Sequence, residues 1–198
     1  MEHHLDDINK GFMEPRPANH IPLTPLSFLP RIASIYPKRN AVVYGERKYN
    51  WSEVYERSVR LASAITNAGV KPGEVVTIMA PNIPEMFEAH FGVAMAGAVL
   101  NTLNTRLDTD TIAYILEHAD SRLLITDAAF GEAMKTALAQ TENKKIKIID
   151  IVDQQASESV SGLRLGEQDY ETFLNGADPK FKWQMPADEW QAMCLNYT

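Results

Sequence analysis

A rhythm running from Val75 to Ile151 restricts the fold of this chain more than any other feature. Short, unbroken apolar runs (Val75-Val76-Thr77-Ile78-Met79, Ala98-Val99-Leu100, Arg122 to Thr126, Ile146 to Ile151) alternate with helix-length stretches. A run that is apolar on both of its faces reads as a strand covered on both sides, and strands joined through helices lie parallel. The stretches between them carry helical spacing. Asn82 and Pro84 open one with Met86, Phe87, Phe91, Ala94 and Met95 on one side. Asp108 caps a second with Ile112, Ile115, Leu116 and Ala119 inward, and Phe130, Met134, Ala137 and Leu138 mark a third. The predicted class is α/β: a mainly parallel sheet with helices on both faces.

The flanks are read by local chemistry. Pro15, Pro17, Pro22, Pro25 and Pro30 break regular structure, so residues 1–30 are predicted to be an extended Pro-rich arm anchored by Leu23, Leu26, Phe28 and Leu29. Residues 31–198 are predicted to be one α/β subdomain. A short helix is expected around Ser27–Tyr36, and a small β-hairpin where Ala41–Tyr44 and Lys48–Asn50 flank Gly45-Glu46. Asn50 and Glu53 have capping-box spacing. Val54, Ser58, Leu61, Ala62, Ile65 and Ala68 follow as a helix face, with Gly69 as its stop. Residues 153–168 read as a polar surface loop or hairpin, Tyr170, Phe173 and Leu174 as one short helix, and 178–188 as a linker. Ala192 to Asn196 reads as a last buried strand.

Composition excludes several functions. The net charge is −7 and the cations are scattered, with one small cluster at Lys144, Lys145 and Lys147, which argues against nucleic acid or an anionic membrane as main partner. A single cysteine, Cys194, excludes an internal disulfide and points to a reducing compartment, most simply the cytosol. The acidic start is not that of a secretory signal, and no apolar run approaches the ~20 residues of a membrane span. Common nucleotide-loop, zinc-protease and nucleophile-elbow patterns are absent. Isolated candidates read more simply as structure. His90 is expected to be a packed or capping side chain, and His118 a partner of a helix dipole. Cys194 is expected to be an inert core thiol, and Trp51, Trp183 and Trp190 packing residues. His3 and His4 support weak adventitious metal binding at most.

Four segments in order carry more. They are Tyr49-Asn50-Trp51-Ser52-Glu53-Val54, Pro81-Asn82-Ile83-Pro84-Glu85, the stretch Phe91 to Leu107 with Ala96-Gly97 and Asn104-Thr105-Arg106-Leu107, and Ala192 to Thr198. Together they resemble the N-terminal part of the adenylate-forming (AMP-binding) superfamily, in particular acyl-CoA synthetases acting on fatty or other small carboxylic acids. The resemblance covers residues 20–198 and implies the N-terminal subdomain of that fold. It implies an intact enzyme that uses ATP, Mg²⁺ and CoA, first making an acyl adenylate and then a thioester.

Tyr197 and Thr198 match the start of the family's phosphate-binding loop, so Thr198 would lie near phosphate and Mg²⁺ in the intact enzyme. Arg106 matches an arginine near the nucleotide part of CoA. The other readings are a frayed end for Thr198, and for Arg106 a salt bridge to Asp108 or Asp110. The loop glycines and lysine do not occur in these residues. The expectation is therefore an N-terminal piece, inactive by itself and binding no cofactor, whose partner is the remainder of the synthetase. Exposed apolar surface or the arm would drive homo-oligomerisation. The alternative is a non-catalytic binding or interaction module that retains the fold.

Overall fold

The computed structural model describes residues 16, 18–142, 145–153, 155 and 162–197. Pro15, Pro17, His3, His4, Lys144, Thr198 and residues 154 and 156–161 of the predicted 153–168 loop lie outside them. Strands β1 (Asn40–Tyr44) and β2 (Arg47–Asn50) form the antiparallel hairpin. Gly45 takes φ of 55° at the first loop position, where a two-residue hairpin turn accepts glycine without strain. Asn50 then caps α2 (Trp51–Asn67) in a reciprocal capping box. Its side chain accepts from Glu53 N–H, and the Glu53 carboxylate accepts from Asn50 N–H. Gly69, at φ 91°, follows the helix end.

The predicted rhythm is realised as β3 (Val75–Met79), α3 (Pro84–Met95), β4 (Val99–Thr102), α4 (Thr109–His118), β5 (Ser121–Asp127), α5 (Gly131–Gln140) and β6 (Lys147–Ile151). Two-residue strands β7 (Gln168–Asp169) and β8 (Cys194–Leu195) and helix α6 (Tyr170–Asn175) complete it. One parallel sheet results, in the order β7-β6-β5-β3-β4-β8. Strand alternation splits its core. Val76, Ile78, Leu123, Ile125, Ile149 and Ile151 face α2, α3 and α6, while Met79 and Leu124 face α4 and α5. Helix α1 (Phe28–Ile35) forms a third layer, with Leu29 packed on Val54, Ala62 and Met95.

Three expectations are corrected. In the arm, Leu26 and Leu29 are buried anchors, but Leu23 and Phe28 are 78% and 60% exposed. Phe28 neighbours Leu29 on the helix, and consecutive helical residues point to different faces. The last strand is shorter and more open than predicted. It sits on the rim of the sheet beside β4, so Cys194 is exposed and not a core thiol.

The buried face of α3 is not the aromatic one. Of the predicted side, Ala94 and Met95 are buried, but Met86, Phe87 and Phe91 only partly, and the remaining buried positions include Glu85, Glu88, Ala89, Gly92 and Val93. Gly92 sets that rotation because it lets α3 close on α2. A Cβ there would lie 2.6 Å from Leu61 Cδ2 and 2.8 Å from Leu61 Cβ and Cγ. Gly92→Ala is therefore expected to cost about 1–3 kcal/mol by overpacking, read as a lower denaturant midpoint. An unchanged midpoint would mean that the crossing is looser than this.

Candidate functional site

In an open parallel sheet, ligands meet loops at the carboxyl ends of the strands. Here three features occupy that end or lead to it. The first is a cleft of about 560 Å³ where β3 and β4 end, lined by residues that include Asn82, Met86, His90, Asn104 and Thr105. Arg106 lies in the same β4–α4 loop. Its backbone N–H donates to Asn104 Oδ1 at 3.0 Å, and its side chain is exposed. The expected salt bridge to Asp108 or Asp110 does not form. Asp108 caps α4 by accepting from Thr111 N–H and Oγ1, both at 2.9 Å, which holds its carboxyl below the ordinary value, and Asp110 accepts from Gln140 Nε2. His90 is exposed rather than packed, with Nδ1 2.8 Å from the Met86 carbonyl.

The second feature is a buried ionic cluster where the hairpin meets the ends of β5 and β6. Arg47 pairs with Glu85 and bonds the Tyr49 hydroxyl through Nε and Nη2 at 3.2 and 3.0 Å. Tyr44 donates its hydroxyl to Asp153, and that bond with burial pushes the Tyr44 pKa up to about 12. Asp127 is raised from its ordinary value, first by burial and then by the nearby Asp153 and Glu85 charges. Glu85 Oε2 is buried without a hydrogen-bond partner. A second network lies deeper. Glu88, 1% exposed, accepts from Arg57 Nε at 2.6 Å and from the Tyr170 hydroxyl at 2.9 Å, and Arg57 forks onto Glu171 at 2.9 and 2.6 Å.

The third feature is the end of β8. The Tyr197 hydroxyl is 2.8 Å from His118 Nδ1, and the two rings meet edge to face. Burial and the neighbouring Tyr114 raise the Tyr197 pKa. His118 does sit in the last turn of α4, but it bonds a side chain across the fold rather than only the helix end. Thr198 lies outside the described residues. Trp51 and Trp183 pack as expected, with Trp183 Nε1–H donating to the Tyr55 hydroxyl at 3.3 Å, whereas Trp190 is 91% exposed.

β4 and β8 are neighbours, so Arg106 and Tyr197 leave adjacent strands in the same direction. No hydrogen bond or ion pair joins them. An exposed guanidinium without a carboxylate partner fits a phosphate. A metal is not supplied in the same way: among the described residues no three His, Cys, Asp or Glu side chains converge on one ion position.

Sequence reasoning missed Arg47, Arg57 and Glu88, and named Glu85 and Tyr170 only as parts of a motif and a helix, without their polar partners. The only local signal was two glutamates three apart on a helix that otherwise reads as apolar. Among the described residues, no helix is long and apolar enough to cross a membrane.

Comparison with known proteins bears on this geometry. The profile of the family described as "AMP-binding enzyme" matches residues 29–198. An acetate/butyrate–CoA ligase of Arabidopsis thaliana, described as peroxisomal, is 44% identical over 98% of this chain and 35% of its own length. A 2-methylpropanoate–CoA ligase of Humulus lupulus is 41% identical over 94% of the chain and 34% of its own length. Among solved structures, an anthranilate CoA ligase in complex with anthranoyl-AMP superposes with a TM-score of 0.75 at 20% identity, covering 90% of this chain and 33% of that one. The chain thus spans about a third of the length of the curated relatives it matches.

Proposed function

The chain belongs to the AMP-binding enzyme family, and from that premise we propose that it forms the N-terminal part of an ATP-dependent acid–CoA ligase. In such an enzyme a carboxylate displaces pyrophosphate from ATP to give an acyl adenylate, and the CoA thiol then displaces AMP. The observation carrying this reading is the 44% identity to an acetate/butyrate–CoA ligase over 98% of the chain. The family match over residues 29–198 takes in the β4–α4 loop and the β8 end, the two places from which ligand-facing residues would leave the sheet. The relatives share ligation to CoA and differ in the acid their names carry, so a small carboxylic acid is the substrate class.

In this reading Arg106 meets the nucleotide part of CoA, and Tyr197 leads into Thr198 at the phosphate side. These 198 residues supply no glycine-rich phosphate loop and, as described, no carboxylate set for Mg²⁺. By themselves they are inactive. A single cysteine suits a reducing interior, either the cytosol or an organelle such as the peroxisome named for a relative. Localisation of the tagged longer protein decides between them.

The test is acid-dependent ATP–pyrophosphate exchange, followed by thioester formation with acetate, butyrate, 2-methylpropanoate and benzoate. The longer protein should exchange with at least one acid, and the 198-residue chain with none. A longer protein inert toward every acid would overturn the ligase reading. Exchange by the pure 198-residue chain would overturn the claim that its site is incomplete.

The remainder of the ligase would also cover apolar surface. A cleft of about 640 Å³ between the hairpin and α3 is lined by Val43, Ile83, Phe87 and Phe91. Val43 there, Phe28 and Ile35 on α1, and Tyr36 just past its end are exposed. The 198-residue chain is therefore expected to self-associate as its concentration rises. Sedimentation as a monomer at every concentration would remove this expectation.

A further inference from the structure

β8 is only two residues long, so few backbone bonds hold the segment that leaves it. Cys194 pairs with Leu100 and Leu195 with Asn101, and Leu100 N–H donates to the Met193 carbonyl at 2.9 Å. Beyond Leu195 the ladder stops. The next fixed point is a side chain: Tyr197 packs on the core cluster beneath α4, and its hydroxyl lies 2.8 Å from His118 Nδ1. The rings meet at 5.8 Å and 80°. His118 is itself held from the other side, stacked at 5.4 Å and 21° on Tyr114, one turn earlier on α4.

The buried face of α4 is made by Ile112, Ala113, Ile115 and Leu116, and His118 is exposed, so the helix does not need its imidazole for packing. A tyrosine hydroxyl both donates and accepts, so the bond survives either neutral tautomer of the ring.

We propose that His118 is a positioning residue: through the Tyr197 hydroxyl it fixes the direction in which the chain leaves β8, which in the ligase reading is the approach to the phosphate side of the site. The inference rests on the ligase reading for what the chain leads to beyond β8, but not for the tether itself. A segment held by two ladder pairs frays easily once its last anchor is gone. A reacting group displaced by about 1 Å can cost about 10²-fold in rate.

The test uses His118→Ala, His118→Asn, Tyr197→Phe and the His118→Ala/Tyr197→Phe double variant. Asparagine puts an amide near the place of Nδ1 and can donate or accept. In the longer enzyme, His118→Ala and Tyr197→Phe are each expected to lower kcat/KM for ATP by about 10- to 100-fold, with KM for the acid unchanged. His118→Asn should recover most of that loss, and the double variant should be no worse than either single one.

In the 198-residue chain, backbone hydrogen exchange over residues 190–197 should speed up in both single variants, while the thermal midpoint stays near wild type. Wild-type ATP kinetics together with unchanged exchange in His118→Ala would overturn the proposal. So would parallel losses for ATP and acid that track a lowered midpoint and that asparagine does not rescue, since those mark a purely structural role. If the wild-type enzyme shows no acid-dependent activity, the ligase reading fails by itself. Hydrogen exchange then decides the tether: faster exchange confined to residues 190–197 sustains it, and unchanged exchange overturns it.

Discussion

Replacing Arg57 by alanine is expected to lower the unfolding free energy by about 3–5 kcal/mol, the cost of leaving a buried charge without its partner. Arg57 holds together α2, α3 and α6. Its Nε meets Glu88 at 2.6 Å, and its two terminal nitrogens fork onto Glu171 at 2.9 and 2.6 Å. Glu171 is half exposed and contributes little on its own. The large term is Glu88, whose other oxygen accepts only from Tyr170 at 2.9 Å.

Burial lifts the Glu88 pKa from 4.5 to about 7, even against the lowering effect of Arg57. A raised folded-state value means that the folded chain prefers the protonated carboxyl. The stability this group adds is full below its ordinary value and is lost as pH rises through about 7. Without Arg57 the carboxyl rises further, so the deficit of Arg57→Ala should be larger at pH 8 than at pH 5. Glu88→Gln in the same chain should restore part of it by removing the charge. Denaturation at the two pH values checks both statements. A loss below about 1 kcal/mol that ignores pH would show that Glu88 is not a desolvated charge.

The sequence disclosed what depends on neighbouring residues. Unbroken apolar runs gave the parallel sheet, Asn50 with Glu53 the capping box, and Asp108 the start of α4. Tyr170, Phe173 and Leu174 gave α6, all three of them buried. Features that depend on distant pairing stayed hidden. Glu88 meets Arg57 across 31 positions, Glu85 meets Arg47 across 38, and Tyr197 meets His118 across 79. A buried glutamate looks like a surface glutamate until its cation is known, which is why helical spacing alone points to the aromatic side of α3. Cys194 misled for the opposite reason. An apolar run predicts a strand but not its place in the sheet, and a rim strand leaves side chains open that a central strand would cover.

Arg47→Ala is expected to be the second large loss, about 3 kcal/mol on the scale of breaking a buried ion pair, but of a different character. Arg47 belongs to the hairpin, and it faces Glu85, with Asp153 also within 3.9 Å. Asp127 lies close enough to both carboxylates for their charges to raise its pKa in addition to burial. Removing the guanidinium leaves these acids to repel one another beneath β1 and β2, and Glu85 Oε2 already lacks a partner.

The hairpin should therefore open locally before the sheet does, with faster hydrogen exchange over residues 40–50 and little change in β3, β5 or β6. Because Asp127 is raised in the folded chain, its contribution is present at low pH and falls as pH rises through its folded value. Acidification through the raised folded value of Asp127 should thus narrow the gap to wild type. Arg47→Lys should rescue only in part, since an ammonium cannot reach Glu85 and hold the Tyr49 hydroxyl through two nitrogens as the guanidinium does. Arg57 lies over the same Tyr49 ring at 5.0 Å, and Arg47 at 5.5 Å. Two residues with a shared partner do not act independently, so the Arg47→Ala/Arg57→Ala chain should depart from the sum of the single losses. Strict additivity would show that the hairpin and the α2–α3–α6 core are separate units.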